Sequence, residues 1–299
     1  MLSIIIINYK SEELTVKFVK QECSKIRIPH KIIIVNNAAT QESNLKLKQN
    51  LDAVLTDADS FVDCTDKEIY IIGCSDNLGF AKGNNLGATF ALKYFNPDYI
   101  LFANTDIHIV DTDICERMIE VMKSKNDIGI IGPKVVGLQG ELQSPNCRFD
   151  LWYHNVWYYI QVRFMTKKQI VEHSYAIHAK EGYHYQVMGS FFLVREKDFL
   201  DCGMFDPNTF LYYEESILSE RMARIGKKVY FYPQVSVIHE HGATTRKYMD
   251  RINIEKQKFA SAAYYYKTYR GKSAMEVMLV GFIHEIIIRV INIKQKLVK

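Results

Sequence analysis

Short unbroken apolar runs alternate with helix-spaced stretches through the first 136 residues of the chain. Ser3–Ile7, Lys31–Val35, Glu68–Ile72, Tyr99–Ala103 and Ile128–Val136 are apolar runs bounded by polar residues, as expected of strands buried on both faces. Glu12–Lys25, Ala81–Phe95 and Asp111–Lys123 repeat apolar residues every three or four positions, which predicts helices. That alternation predicts an α/β class: a Rossmann-like, mostly parallel sheet flanked by helices. The opening MLSIIIINYK reads as its first strand and not as a secretion signal. The strands end in Asn8, Asn36-Asn37, Asp76-Asn77 and Asn104-Thr105-Asp106. Ligands of open α/β sheets sit beyond the carboxyl ends of the strands, so these polar ends predict one site.

The pattern changes after residue 136. Residues 137–187 are rich in Tyr, Trp, His and Gln, with a hairpin expected at Gly137–Gly140 and no other regular element assignable. Beyond them the chain predicts strands at Val187–Val194 and Lys228–Tyr232. Helices are expected at Glu214–Ile225, about Met249–Tyr269 and Ser273–Val298. In the last helix Gly281, Glu285, Arg289, Asn292, Lys296 and Lys299 mark one face; Met275, Met278, Leu279, Phe282, Ile283, Ile286, Ile287, Val290 and Ile293 mark the other. Glu285 and Arg289 fall mid-span, which disfavours a membrane-crossing helix. A helix lying in a membrane surface and a contact with a second subunit, giving a homodimer, both fit. The chain thus divides into 1–136, 137–247 and 248–299.

Composition narrows the class. With 299 residues, 48% hydrophobic and 24% charged, the chain is neither collagen-like nor disordered. Its six scattered cysteines read as reduced thiols of a cytoplasmic protein. The net charge of +4 is uneven, because from Lys267 onward seven basic residues face two acidic ones. A basic tail on a near-neutral body argues against nucleic acid as a partner.

Four segments carry candidate chemistry. Asp106 at a strand end suits a divalent cation bound to phosphate oxygens, or else caps the next turn. Asn77-Leu78-Gly79-Phe80-Ala81-Lys82-Gly83 joins a strand to a helix whose N-terminus favours anions, or is simply a tight turn. Glu214 and Glu215 open a helix after an aromatic run; mutual repulsion and burial would raise one pKa toward that of a base, although acids are ordinary at helix starts. His239-Glu240-His241-Gly242 follows a strand and lacks the spacing of zinc proteases.

Taken in order, these segments resemble the inverting glycosyltransferases of family 2, which have the GT-A fold, and among them the rhamnosyltransferase-like branch that builds bacterial surface polysaccharides. The resemblance spans roughly residues 1–270. It is carried by Ser3–Tyr9, Ile34–Thr40, Asn77-x-Gly79-Phe80-Ala81-x-Gly83-x-Asn85, Asn104-Thr105-Asp106, Gly189–Arg195, Phe205–Arg221 and His239-x-x-Gly242-x-Thr244.

The resemblance implies that Asn8, Tyr9, Asn36, Asn77, Gly79, Lys82 and Asn104 hold the nucleotide of a nucleotide-diphosphate sugar. Asp106 and His239 would hold Mn²⁺ or Mg²⁺. Gly189 and Ser190 would lie under the donor sugar and acceptor, with Trp152 and His154 in the acceptor region, where packing of a small subdomain is the competing use of aromatics. Arg221 would brace the helix bearing the catalytic base, Glu215 or Glu214. The chain departs from the family at Asn36, Asn104 and Ile217, where Asp is usual. The expectation is a cytoplasmic enzyme, peripheral on the inner face of the cell membrane. It would transfer a sugar, L-rhamnose from dTDP-L-rhamnose or else a UDP-hexose, to a growing, lipid-linked glycan acceptor. A non-catalytic glycan-binding subunit and a sugar-phosphate nucleotidyltransferase are the other readings. The second would need a Gly-rich basic loop where Asn8-Tyr9-Lys10-Ser11 stands.

Overall fold

The structure, a computed structural model, describes residues 1–56, 67–240 and 250–297. Ten strands among them form one sheet: β1 Leu2–Tyr9, β2 His30–Asn37, β3 Val54–Thr56, β4 Ile69–Gly73, β5 Tyr99–Ala103, β6 Ile107–Ile109, β7 Ile128–Gly137, β8 Gly182–His184, β9 Phe191–Arg195 and β10 Lys228–His239. Their order is β3-β4-β2-β1-β5-β9-β7-β10-β6, with β8 also on β10. The five strands β3 to β5 in that order run parallel, and β9 lies antiparallel between β5 and β7.

The unbroken isoleucine run of β1 is explained by two cores, since alternate residues of a strand face opposite sides. Ile4 and Ile6 pack beneath α1 (Glu12–Gln21), α2 (Gln41–Leu51) and α4 (Ile114–Ser124). Ile5 packs on the other side beneath α3 (Gly79–Phe95) and the Glu214–Arg224 helix. A third core joins the helices Arg251–Tyr269 and Ala274–Leu297 to the 151–157 segment through Leu151, Val156, Tyr265, Tyr266, Val277 and Val280.

Several boundaries differ from expectation. The sequence reading missed α2 and β3. α2 buries only Leu47 and Leu51, too few for a periodic signal, and is started by a Thr40–Ser43 capping box. β10 continues to His239, seven residues past its expected end, by absorbing Pro233 in a register shift between Tyr232 and Ser236. β9 begins at Phe191, not Val187. The expected reversal is present, with Gly140 N donating to Gly137 O at 3.0 Å. Residues 153–178 contain four short helical segments. No helix among the described residues is long and apolar enough to cross a membrane.

Candidate active site

The carboxyl ends of β1, β2 and β5 carry Asn8, Asn36 and Asn104 side by side, because these strands are parallel and in register. Asn8 Nδ2 donates to Asn36 Oδ1 at 2.7 Å, and Asn8 Oδ1 accepts from Thr15 at 2.7 Å. Asn36 Nδ2 donates to Asn44 Oδ1 at 2.7 Å and to Ser43 at 2.9 Å. Both asparagines are fully buried. The side-chain oxygen and nitrogen of Asn36 are thus both engaged within the protein, and Tyr9 at the end of β1 is half-buried.

At the start of α3, Asn77 accepts from Gly79 N at 3.0 Å, a local turn that occupies its side-chain carbonyl. Gly79 has φ +72°, and a Cβ there would lie 2.3 Å from Phe210 O. Only glycine permits that approach. The adjacent Phe80 N donates to the same carbonyl at 2.9 Å, which ties this loop to the one preceding Glu214. Lys82, on the first turn of α3, is exposed.

Asp106 and His239 meet because β6 and β10 pair antiparallel, His239 opposite Ile107. Asp106 Oδ1 lies 3.4 Å from His239 Nε2, and both residues are buried. His239 Nδ1 donates to Gln143 Oε1 at 2.7 Å. An amide oxygen only accepts, so Nδ1 carries a proton and Nε2 turns toward the carboxylate. Metal-ligating histidines usually have their far nitrogen held in this way, which fixes the tautomer and the ring orientation. One carboxylate and one imidazole, completed by substrate phosphates, fit Mn²⁺ or Mg²⁺. Among the described residues no group of three His, Cys, Asp or Glu side chains could hold a metal, so the diphosphate would have to supply the remaining ligands. Gly242 and Thr244, and the rest of 241–249, lie outside the described residues.

Asn104 N donates to Ser190 O at 2.8 Å, and this contact links the β5 end to Gly189 and so to Glu215. A Cβ on Gly189 would stand 2.0 Å from Glu215 Oε1. Burial raises the Glu215 pKa, while its own backbone N–H and then that of the nearby Gly189 work against the shift. Glu214 is 4% exposed, with Oε1 unpartnered; burial first, then the neighbouring charge of Glu215, hold its pKa well above the ordinary value. The Ser190 hydroxyl is likewise buried and unpartnered.

Tyr212 and Tyr213 precede this helix with φ of 74° and 69°, an arrangement that costs bulky residues of order 1–3 kcal/mol each. The C-terminal helices hold it in place: Ser261 donates to Leu211 O at 2.8 Å, and Tyr213 packs on Tyr265 at 5.4 Å. Ile217 is fully buried in that third core. The departure from Asp there thus faces packing, not the cleft. Arg221 donates to Met204 O at 2.9 Å and fastens the same helix from its other end.

Glu215 opens into a cavity of about 860 Å³ whose wall includes His154, Tyr158, Tyr159, Met188 and Tyr212. His154 lies against Phe149 with the rings tilted at 49° and 4.8 Å apart, and burial lowers its pKa. Trp152 does not line this cavity. Its indole N–H donates to Glu276 at 3.1 Å, and its ring packs on the third core, so the structure gives it the packing use of an aromatic. Gln143 was not identified from the sequence, because it lies in the unassignable stretch; the aromatic run holding Tyr212 and Tyr213 was, but positive φ in tyrosine has no sequence signal.

No protein-family profile matches the chain. Over 216 residues it is 26% identical to the low-salt glycan biosynthesis hexosyltransferase Agl10 of Haloferax volcanii, covering 72% of this chain and 59% of that protein. It therefore spans under two thirds of that curated relative. Among solved structures, TarS 1–349 of S. aureus in complex with UDP-GlcNAc matches with a TM-score of 0.55 at 12% identity, covering 93% of this chain and 70% of the other. The mannosyltransferase PcManGT of Pyrobaculum calidifontis, in complex with GDP-Man and Mn²⁺, matches with 0.54 at 12% identity, covering 87% and 63%.

Proposed function

We propose that this chain, a glycosyltransferase of the GT-A fold, moves a hexosyl group from a nucleoside-diphosphate sugar to a hydroxyl of a growing glycan, with inversion. The observation that carries this is the placement of Glu215: a carboxylate of raised pKa, packed closely on Gly189 and open to an 860 Å³ cavity. The relative's hexosyltransferase name and the donor complexes of the structural neighbours support the substrate class.

Asn8 and Asn36 hold the strand ends beneath the nucleotide, and Tyr9 offers a partly open ring. Asp106 and His239 would hold Mn²⁺ or Mg²⁺, which when bound neutralises charge on the diphosphate leaving group. Glu215 takes the proton of the acceptor hydroxyl as that oxygen attacks the anomeric carbon from the face opposite the diphosphate, and one direct displacement inverts the centre. Glu214, more deeply buried, keeps its proton and lets its neighbour carry the charge. In this reading 1–136 forms the donor side, 137–247 the acceptor and catalytic side, and 248–299 the brace. dTDP-L-rhamnose is the first donor to try and UDP-hexoses the next. The basic, apolar C-terminal helix supports a peripheral position on the inner face of the cell membrane.

Glu215→Gln is expected to lower transfer by about 10²–10⁴-fold while nucleotide binding persists. Nucleotide sugars are screened by thermal shift with and without Mn²⁺, and transfer is then assayed with the stabilising donor. Full activity in Glu215→Gln overturns the assignment.

A further inference from the structure

The reversal that follows β7 carries two polar side chains toward Asp106 and His239. Gly140 N donates to Gly137 O at 3.0 Å, Gly137 N to Glu141 O at 2.8 Å and Gln143 N to Val135 O at 2.9 Å. Residues two apart on an extended segment share a face, so Glu141 and Gln143 stand side by side. β7 pairs in parallel with β10, and the register sets Gly137 beside His239. The Glu141 carboxylate folds back over Gly137, where a Cβ would be 1.8 Å from its Oε1. Glycine at 137 leaves the room that this carboxylate fills.

Glu141 Oε2 accepts from Gln139 N at 3.1 Å, and Oε1 accepts from Gln143 Nε2 at 3.4 Å. Gln143 Oε1 in turn accepts from His239 Nδ1 at 2.7 Å, and His239 Nε2 faces Asp106 Oδ1 at 3.4 Å. Four side chains thus form one line, and its sense is decided at the Glu141 end. A carboxylate accepts and an amide nitrogen donates, so Glu141 turns the NH₂ of Gln143 to itself and the amide oxygen to His239. Were the amide reversed, its oxygen would meet the carboxylate, acceptor against acceptor, and its NH₂ would meet Nδ1. The imidazole proton would then sit on Nε2, against Asp106, and that nitrogen would have no lone pair for a cation.

We propose that Glu141 is a positioning residue for metal binding: by fixing the Gln143 amide it holds His239 in the tautomer whose Nε2 offers its lone pair to Mn²⁺ or Mg²⁺. The role rests on the reading of Asp106 and His239 as the metal pair, whereas the hydrogen-bonded line does not depend on it. Glu141 is exposed and also lines the cavity that holds Glu215, so the effect is read without any acceptor present.

The test uses the full chain. Long-range nitrogen–proton NMR spectra of the histidine side chains report the tautomer, with the His239 signals assigned by their loss in His239→Asn. Mn²⁺ is titrated in the presence of UDP, followed by electron paramagnetic resonance. The metal-free wild-type chain should show His239 protonated at Nδ1. Glu141→Leu should mix in the tautomer protonated at Nε2 and raise the Mn²⁺ Kd by about tenfold. Combining Glu141→Gln with Gln143→Glu exchanges the two groups: the carboxylate at 143 accepts from Nδ1 and the amide at 141 donates to it. Tautomer and Kd should both return toward the wild-type values. An unchanged tautomer in Glu141→Leu overturns the positioning role and, where Mn²⁺ still binds, leaves the metal reading in place. A tautomer that shifts while the Mn²⁺ Kd does not overturns the metal reading of His239, and the role falls with it. A loss of affinity that the exchange does not restore also overturns the proposal, because Glu141 then acts by something other than its place in the line.

Discussion

On the proposed donor side of the cleft, amides hold amides: Asn8 is gripped by Asn36 and Thr15, and Asn36 in turn by Ser43 and Asn44. On the acceptor side, rings lie against rings, with Tyr213 on Tyr265, His154 on Phe149 and Phe259 on His284. Hydrogen bonds are directional and set one geometry, whereas aromatic faces accept many partners at similar energy. The first material suits a group that is always the same, a nucleoside diphosphate, and the second a group that varies. Glu215 stands at the seam, fastened to the directional side through Gly189 and open to the adaptable one.

That contrast predicts where substitutions act. The seam should be the most sensitive. Gly189→Ala pushes a methyl against the Glu215 carboxylate and should lower kcat by about 10²-fold with little change in the KM for donor, read by steady-state kinetics. A loss below about threefold would show that Glu215 is positioned by something else. Next comes the hydrogen bond behind the pair proposed to hold the metal. Gln143→Leu frees the His239 ring, and the Mn²⁺ concentration for half-maximal activity should rise by about 10–100-fold. An unchanged Mn²⁺ titration would remove His239 from the metal site.

The smallest effect concerns stability. Glu214 has a folded pKa above its unfolded one, so between those values the folded chain binds more protons than the unfolded chain. Stability therefore falls as pH rises from the ordinary glutamate value through the raised one. Glu214→Gln removes this slope and should raise Tm at pH 8 by roughly 2–4 °C, with a smaller gain at pH 5, followed by calorimetry. Equal Tm differences at both pH values would show that Glu214 is not a source of that strain.

Much of the sheet in the first half of the chain was readable in advance because β-branched runs buried on both faces leave no alternative to a central strand. Tyr99–Ala103 was placed to the residue. The same reading failed at α2, whose two buried leucines make no stripe, and in residues 137–187, where aromatic residues occur without a period. In the last helix the two-faced pattern was only half of the arrangement. Val277, Val280, His284 and Ile291 form a further, buried face, and Gly281, Glu285, Arg289 and Asn292 border a groove beside the neighbouring helix.

Local chemistry along the chain was enough to specify a parallel sheet with polar strand ends and an acidic pair at a helix start. Period and composition act between neighbours in sequence, so they are visible there. Which acid faces the cavity, which histidine meets Asp106, and which aromatics pack and which line a wall were settled by contacts between residues tens to more than a hundred positions apart. Gln143 reaches His239, Gly189 reaches Glu215 and Phe259 reaches His284 through folding alone. Such pairings depend on the register and packing of whole elements, which no local pattern encodes.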